Sequence, residues 1–155
     1  MAAPSAFQFY GNNIDLLKLA DLSGVTVKML LTTSTYVPDT TNTGHTVLAD
    51  ITNEIANGNG YLTGGVVLSA PTIAAYSTTG FKLSTGNASW TASGTGIPAW
   101  RNVVIYVSGA LWGVTSPLLG YFIGDSAPAD VPATAAGNAL QINVPSNGWF
   151  TTTRT

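Results

Sequence analysis

Residues 102–108 read NVVIYVS, a run that is apolar on both faces of an extended chain, with Val103, Ile105 and Val107 on one side and Val104 and Tyr106 on the other. A strand of this kind needs cover above and below, so it belongs at the centre of a sheet. The turn-like SGALWGVTSP follows it, and LLGYFIG then returns, which predicts an antiparallel pair of residues 102–108 with 117–123.

The other segments supply partners for that strand. VTVKMLLTTSTYV, residues 25–37, is rich in β-branched residues and reads as a strand closed by the turn pair Pro38 and Asp39. GGVVLSAPTIAAYST and GFKLSTGNASWTA read as two or three strands. Their packing candidates are Val66 to Leu68, Ile73, Tyr76, Phe81, Leu83 and Trp90, and Pro71 marks an edge or a break. Two short helices are expected between these strands. NNIDLLKLADLSGV sets Ile14, Leu17 and Ala20 at helical spacing, and HTVLADITNEI does the same with Val47, Leu48, Ile51 and Ile55.

From Asp125 the chain turns into APADVPATAAGNAL, so residues 125–139 read as a Pro/Ala-rich loop or linker before a C-terminal strand carrying Leu140, Ile142 and Val144. A PSNG turn then delivers Trp149 and Phe150, which either finish the sheet or dock on a partner. The expected class is mainly β, an antiparallel β-sandwich or partly open barrel with one or two short helical insertions, in a single domain spanning residues 1–155.

Charge narrows the function. Charged residues make up 8% of the chain, against about 25% in an ordinary soluble domain. The surface therefore has to be polar without being charged, which suits a subunit working inside an assembly. The basic residues Lys18, Lys28, Lys82, Arg101 and Arg154 are scattered, so a nucleic-acid partner is not expected. Cysteine is absent, which excludes disulfides and thiolate metal sites. The opening MAAPSAFQFYGNN has neither a basic start nor a long apolar stretch, and the apolar runs are strand-sized, so neither a secretory leader nor a membrane span is expected. Synthesis and use in a cytoplasm are the expectation.

Chemistry-bearing residues are few. The only histidine, His45, lies in YVPDTTNTGHTVLADITNEI with Asp39, Asp50 and Glu54 around it. That spacing matches neither HExxH nor a calcium-binding loop, so the expected role is to hold a loop and a helix start, with no metal and no cofactor. No nucleophile elbow accompanies His45, GNGYLTGG lacks the lysine and helix entry of a phosphate loop, and no catalytic residues are assigned. Core packing is the expectation for Trp90 and Trp100, whereas Trp112 and Trp149 sit in Gly-rich turns where burial against a partner is as much expected as burial in the core. The interface candidates are Trp112, Trp149, Phe150, Tyr121 and Tyr61.

Taken in order, VKMLLTTSTYVPDTTNTGHTVLADITNEI, GNGYLTGGVVLS, RNVVIYVSG and SPLLGYF resemble a family of small structural proteins encoded in the morphogenesis regions of tailed bacteriophages. The likeness covers about residues 16–123 and stops at Asp125. It implies a virion protein without catalysis, made in the host cytoplasm: a capsid decoration or cement subunit that binds the major capsid protein and neighbouring copies of itself. The same likeness admits a neck, head-completion or tail component. A carbohydrate-binding or receptor-binding module, presenting aromatic rings in one groove, is the reading from an unlike class.

Overall fold

Residues Asn102–Ser108 form the middle strand of a five-stranded antiparallel sheet. The computed structural model describes residues 5, 7–9, 22, 24–76, 80–125, 127 and 129–153. Within them run β1 (Gln8–Phe9), β2 (Thr26–Thr32), β3 (Val66–Leu68), β4 (Thr72–Ala75), β5 (Gly80–Ser84), β6 (Ala88–Thr91), β7 (Asn102–Ser108), β8 (Ala110–Leu111), β9 (Val114–Thr115), β10 (Leu118–Ile123), β11 (Ala139–Ile142) and β12 (Phe150–Thr153). The large sheet has the order β1-β10-β7-β2-β3. Smaller sheets are β12-β5-β4, β11-β6 and the hairpin β8-β9. The class is mainly β, in several antiparallel sheets of which none closes into a barrel among the described residues.

The expected pairing of β7 with the returning segment is present, Val103 opposite Phe122 and Tyr106 opposite Leu118. A register shift between Leu118 and Gly120 lets Leu118 join the hydrophobic cluster on one face while Leu119 joins the other. Val27, Met29 and Leu31 of β2 lie on the same face as Val103, Ile105 and Val107 of β7. They pack against Leu83, Ala88, Trp90, Ile97, Trp100, Trp149 and Phe150. The opposite face carries Leu30, Val104, Tyr106 and Leu118, and it is covered by Tyr36, Leu48 and Ile51. Both faces of β7 are thus buried, as its sequence demands.

The strand expected over residues 25–37 stops at Thr32. Asn102, 3% exposed, accounts for the stop. Its Nδ2 donates to Thr32 Oγ1 at 3.1 Å and to the carbonyls of Thr33 at 3.4 Å and Tyr36 at 3.2 Å, drawing residues 33–36 off the sheet and folding Tyr36 over its second face.

The helix expected over HTVLADITNEI is corrected: the segment holds only the 3-10 turn Leu48–Asp50. Its apolar spacing is real but serves two destinations. Leu48 and Ile51 pack on the second face of the sheet, whereas Ile55 enters the main core. Ile51 is already extended, and Asn53 takes a left-handed φ of 56°. The chain then pairs with the free edge of β2, the Ile55 N–H donating to Leu31 O at 3.0 Å and the Thr33 N–H to Asn53 O at 2.9 Å. Strand edges left without partners are costly, and that demand outranks helical periodicity here. The other expected helix, with Ile14, Leu17 and Ala20, lies outside the described residues.

The stretch expected to give two or three strands yields four, β3 to β6, with the break at Ala70 (φ 47°) and Pro71. Residues 125–139 make isolated bridges from Val131 to Trp100 and from Thr134 to Ile97, and Val131 is buried. The C-terminal segment divides between two sheets, β11 pairing with β6 and β12 with β5.

Removing the Asn102 carboxamide tests the account of where β2 ends. Asn102→Ala removes the donor that the Thr32 hydroxyl and the Thr33 and Tyr36 carbonyls share, and the expected loss is about 1–3 kcal/mol of unfolding free energy, read from urea denaturation.

Candidate functional site

The acidic residues around His45 do not converge. Asp39 Oδ1 accepts from the Thr41 N–H at 3.0 Å and the Thr41 hydroxyl at 2.8 Å. His45 Nδ1 accepts from the Tyr36 hydroxyl at 3.0 Å and from the Asp39 N–H at 3.3 Å. A backbone N–H can only donate, so Nδ1 is the acceptor in the Asp39 contact. The Tyr36 and His45 rings lie nearly parallel, 21° apart. Asp50 Oδ2 accepts from the N–H groups of Thr46 at 2.8 Å and Val47 at 2.9 Å, tying off the start of the 3-10 turn. Among the described residues no group of three or more His, Cys, Asp or Glu is placed to hold a metal ion.

Glu54 belongs to a different structure. Its Oε1 accepts from the Tyr61 hydroxyl at 2.7 Å and from the Gly64 N–H at 2.6 Å. The Tyr61 oxygen in turn accepts from the Leu31 N–H at 3.0 Å, and the Tyr106 hydroxyl donates to Gly64 O at 2.8 Å. Along the outer edge of β2, β3 pairs with Val27 to Met29, and Glu54 and Ile55 serve Thr32 and Leu31. The Tyr61 hydroxyl takes the amide between these two stretches, where a strand would have offered a carbonyl. Gly65 lets the chain come close enough, since a Cβ there would collide with the Met29 carbonyl.

Protonation is set by these contacts. The Asp50 carboxyl is held below its ordinary value first by the Thr46 and then by the Val47 N–H, and Asp39 by its Thr41 bonds. Burial raises Tyr61 well above the usual phenol range, helped by its bond to Glu54, and pushes Tyr106 up to about 12. Burial also raises Tyr121. Tyr61 and Tyr106 act as donors, to Glu54 and to the Gly64 carbonyl.

Of the interface candidates, Tyr61 is 0% exposed, Trp149 6% and Phe150 7%, so the chain's own core occupies them. Tyr61 stacks on Trp90, Trp149 stacks on Phe122 and donates from Nε1 to Thr85 Oγ1 at 2.8 Å, and Phe150 stacks on Phe7. Tyr121 is half-buried against the second face of the sheet. Trp112 is half-buried at the tip of the β8-β9 hairpin. Trp90 and Trp100 are buried with their indole N–H groups unpartnered, so with Trp149 they form no exposed platform for a sugar. Val37, Leu62 and Val67, which sequence reasoning missed as surface residues, stand 76%, 67% and 54% exposed. Their neighbours Pro38, Thr63 and Gly64, and the edge position of β3, were the available signal.

Two measurements check this geometry. Tyr61→Phe leaves the Leu31 N–H buried without an acceptor, with an expected loss of about 1–3 kcal/mol and faster hydrogen exchange at the Leu31 amide. For Asp50 the folded-state carboxyl is the stronger acid, so its contribution is complete above the unfolded value of 3.8 and vanishes as pH falls through the lower folded value. The urea midpoint of Asp50→Asn is therefore expected below that of the wild type at neutral pH, with the gap closing in acid.

Compared with protein-family models, with curated proteins and with solved structures, the chain finds no match.

Proposed function

We propose that the protein is a virion structural protein, a capsid decoration or cement subunit of a tailed bacteriophage. It works without catalysis by bridging major capsid proteins and neighbouring copies of itself. The architecture belongs to the same reading: an antiparallel β-sandwich, with the five-stranded sheet as one layer and the sheets of β4 to β6, β11 and β12 as the other.

The observation that carries the reading is Trp112. The turn between β8 and β9 places Trp112 at φ 54° and Gly113 at φ 75°. A hairpin of this type ordinarily uses Asn or Asp followed by Gly, because side chains with a Cβ pay about 1–2 kcal/mol in the left-handed region. An indole at that position is strained; it packs against the main core and keeps part of its surface uncovered. Strain of this kind collects at functional positions. An aromatic ring on a rigid hairpin is the usual anchor of a protein interface. Exposed Leu62 and Val67, the low charge, and the resemblance of residues 16–123 to phage structural proteins support the same assignment. Weak contacts of this size become effective when repeated over a lattice.

Quantitative mass spectrometry of purified particles is expected to find the protein in a copy number proportional to the major capsid protein. Replacing Trp112 with Asn is expected to change monomer stability by less than about 1 kcal/mol, because relief of the left-handed strain offsets the lost ring contacts. The same variant is expected to bind particles on the order of tenfold more weakly or worse. Absence from particles, or wild-type binding by Trp112→Asn, refutes the proposal.

A further inference from the structure

Asparagine precedes glycine at Asn57, Asn59 and Asn147. Glycine has no Cβ to shield its amide nitrogen, so this dipeptide is the one most open to attack of the backbone on the asparagine side chain. The three sites differ in what the fold does to the reacting atoms.

All three asparagines are exposed, and the difference lies in their carboxamides; at Asn57 the carboxamide is held. Its Oδ1 accepts from the Thr63 N–H at 3.1 Å, and the Gly58 N–H donates to Tyr61 O at 2.8 Å. At Asn59 the Oδ1 accepts from the Thr95 N–H at 3.2 Å and the carbonyl from the Ser93 N–H at 2.9 Å. Asn147 is exposed, and its carboxamide has no hydrogen-bond partner among the described residues. It stands in a turn closed by one bond, from the Gly148 N–H to Pro145 O at 2.8 Å. Lys82 Nζ donates to Ser146 O at 3.1 Å, which keeps a positive charge at the residue preceding Asn147.

We infer that Asn147, and neither Asn57 nor Asn59, is a site of spontaneous covalent modification in the folded protein. The Gly148 nitrogen attacks Asn147 Cγ. A C–N bond forms, the Cγ–Nδ2 bond breaks, and ammonia leaves carrying the proton released from Gly148. Water then opens the succinimide ring to aspartate or isoaspartate. The Lys82 ammonium, held at the neighbouring Ser146 carbonyl, favours the step by its attraction for the negative charge that develops on the carboxamide oxygen.

Position in the chain gives the modification its consequence. Gly148 rests against the Leu83 carbonyl, which accepts from the Trp149 N–H at 2.8 Å, and Trp149 is anchored in the core through Thr85. Isoaspartate lengthens the main chain just ahead of this anchor, which loosens the pairing of β12 with β5.

The test is peptide mapping by mass spectrometry after incubation in mildly alkaline buffer, with urea-unfolded protein as the reference for intrinsic rates. In folded protein, Asn147 is expected to convert about tenfold faster or more than Asn57 or Asn59, since local opening governs access. All three sites are expected to convert at similar rates in urea. Asn147→Gln is expected to remove the fast phase, and Lys82→Met to slow it. Aged wild-type protein is expected to melt at a lower temperature than aged Asn147→Gln. Comparable conversion at Asn57 or Asn59 in folded protein, or resistance at Asn147 while the unfolded chain reacts, overturns the inference. An unchanged rate in Lys82→Met overturns the role of the ammonium, and an unchanged melting temperature overturns the coupling to Trp149.

Discussion

Burial of both faces of β7 is the constraint on which the rest of the structure depends. One face is covered in the ordinary way, by strands that bring Leu83, Trp90, Trp149 and Phe150 against Val103, Ile105 and Val107. The other face receives an irregular excursion, residues 33–65, and irregular backbone at the margin of a core has to find partners for its own amides and carbonyls. Much of the polar chemistry of this chain answers that need. Asp39, Asp50 and Glu54 each accept backbone N–H groups or hydroxyls within the excursion, and Asn102 gathers the carbonyls where it begins.

The same accounting explains why so few charges suffice. Asp125 accepts from the Ala127 N–H, and Asp130 pairs with Arg101 across 2.8 Å. Among the described residues Asp39, Asp50, Glu54 and Asp125 are acceptors for loop N–H groups, and Asp130 holds a side chain. Solvation of the exterior falls to threonine, serine, asparagine and glycine. A surface of that composition lacks the mutual repulsion that keeps highly charged proteins apart.

The central strand and its antiparallel neighbour were legible in the sequence because a run that is apolar on both faces has one stable environment, and because the turn behind it is short. The end of β2 was not, since it is fixed by Asn102, seventy residues away from Thr32. Val47, Leu48, Ile51 and Ile55 misled for a physical reason: two separate cores, reached by a kinked extended chain, reproduce the spacing of a helix face. For the candidate site, the local roles of Asp39, His45 and Asp50 could be anticipated from neighbouring residues, whereas the reach of Glu54 to Gly64 and of Tyr61 to Leu31 depends on tertiary closure. Trp112 was identifiable as a turn aromatic, but its left-handed backbone was not.

A phenol standing in for a ladder carbonyl also decides what other polypeptides can do at this margin. With the Leu31 amide occupied by Tyr61, and its neighbours served by Glu54 and Ile55, the outer stretch of backbone beside β2 among the described residues is the three-residue edge strand β3. Cross-β growth requires a longer uninterrupted template than that. On this side the largest sheet therefore presents only a short template to another chain.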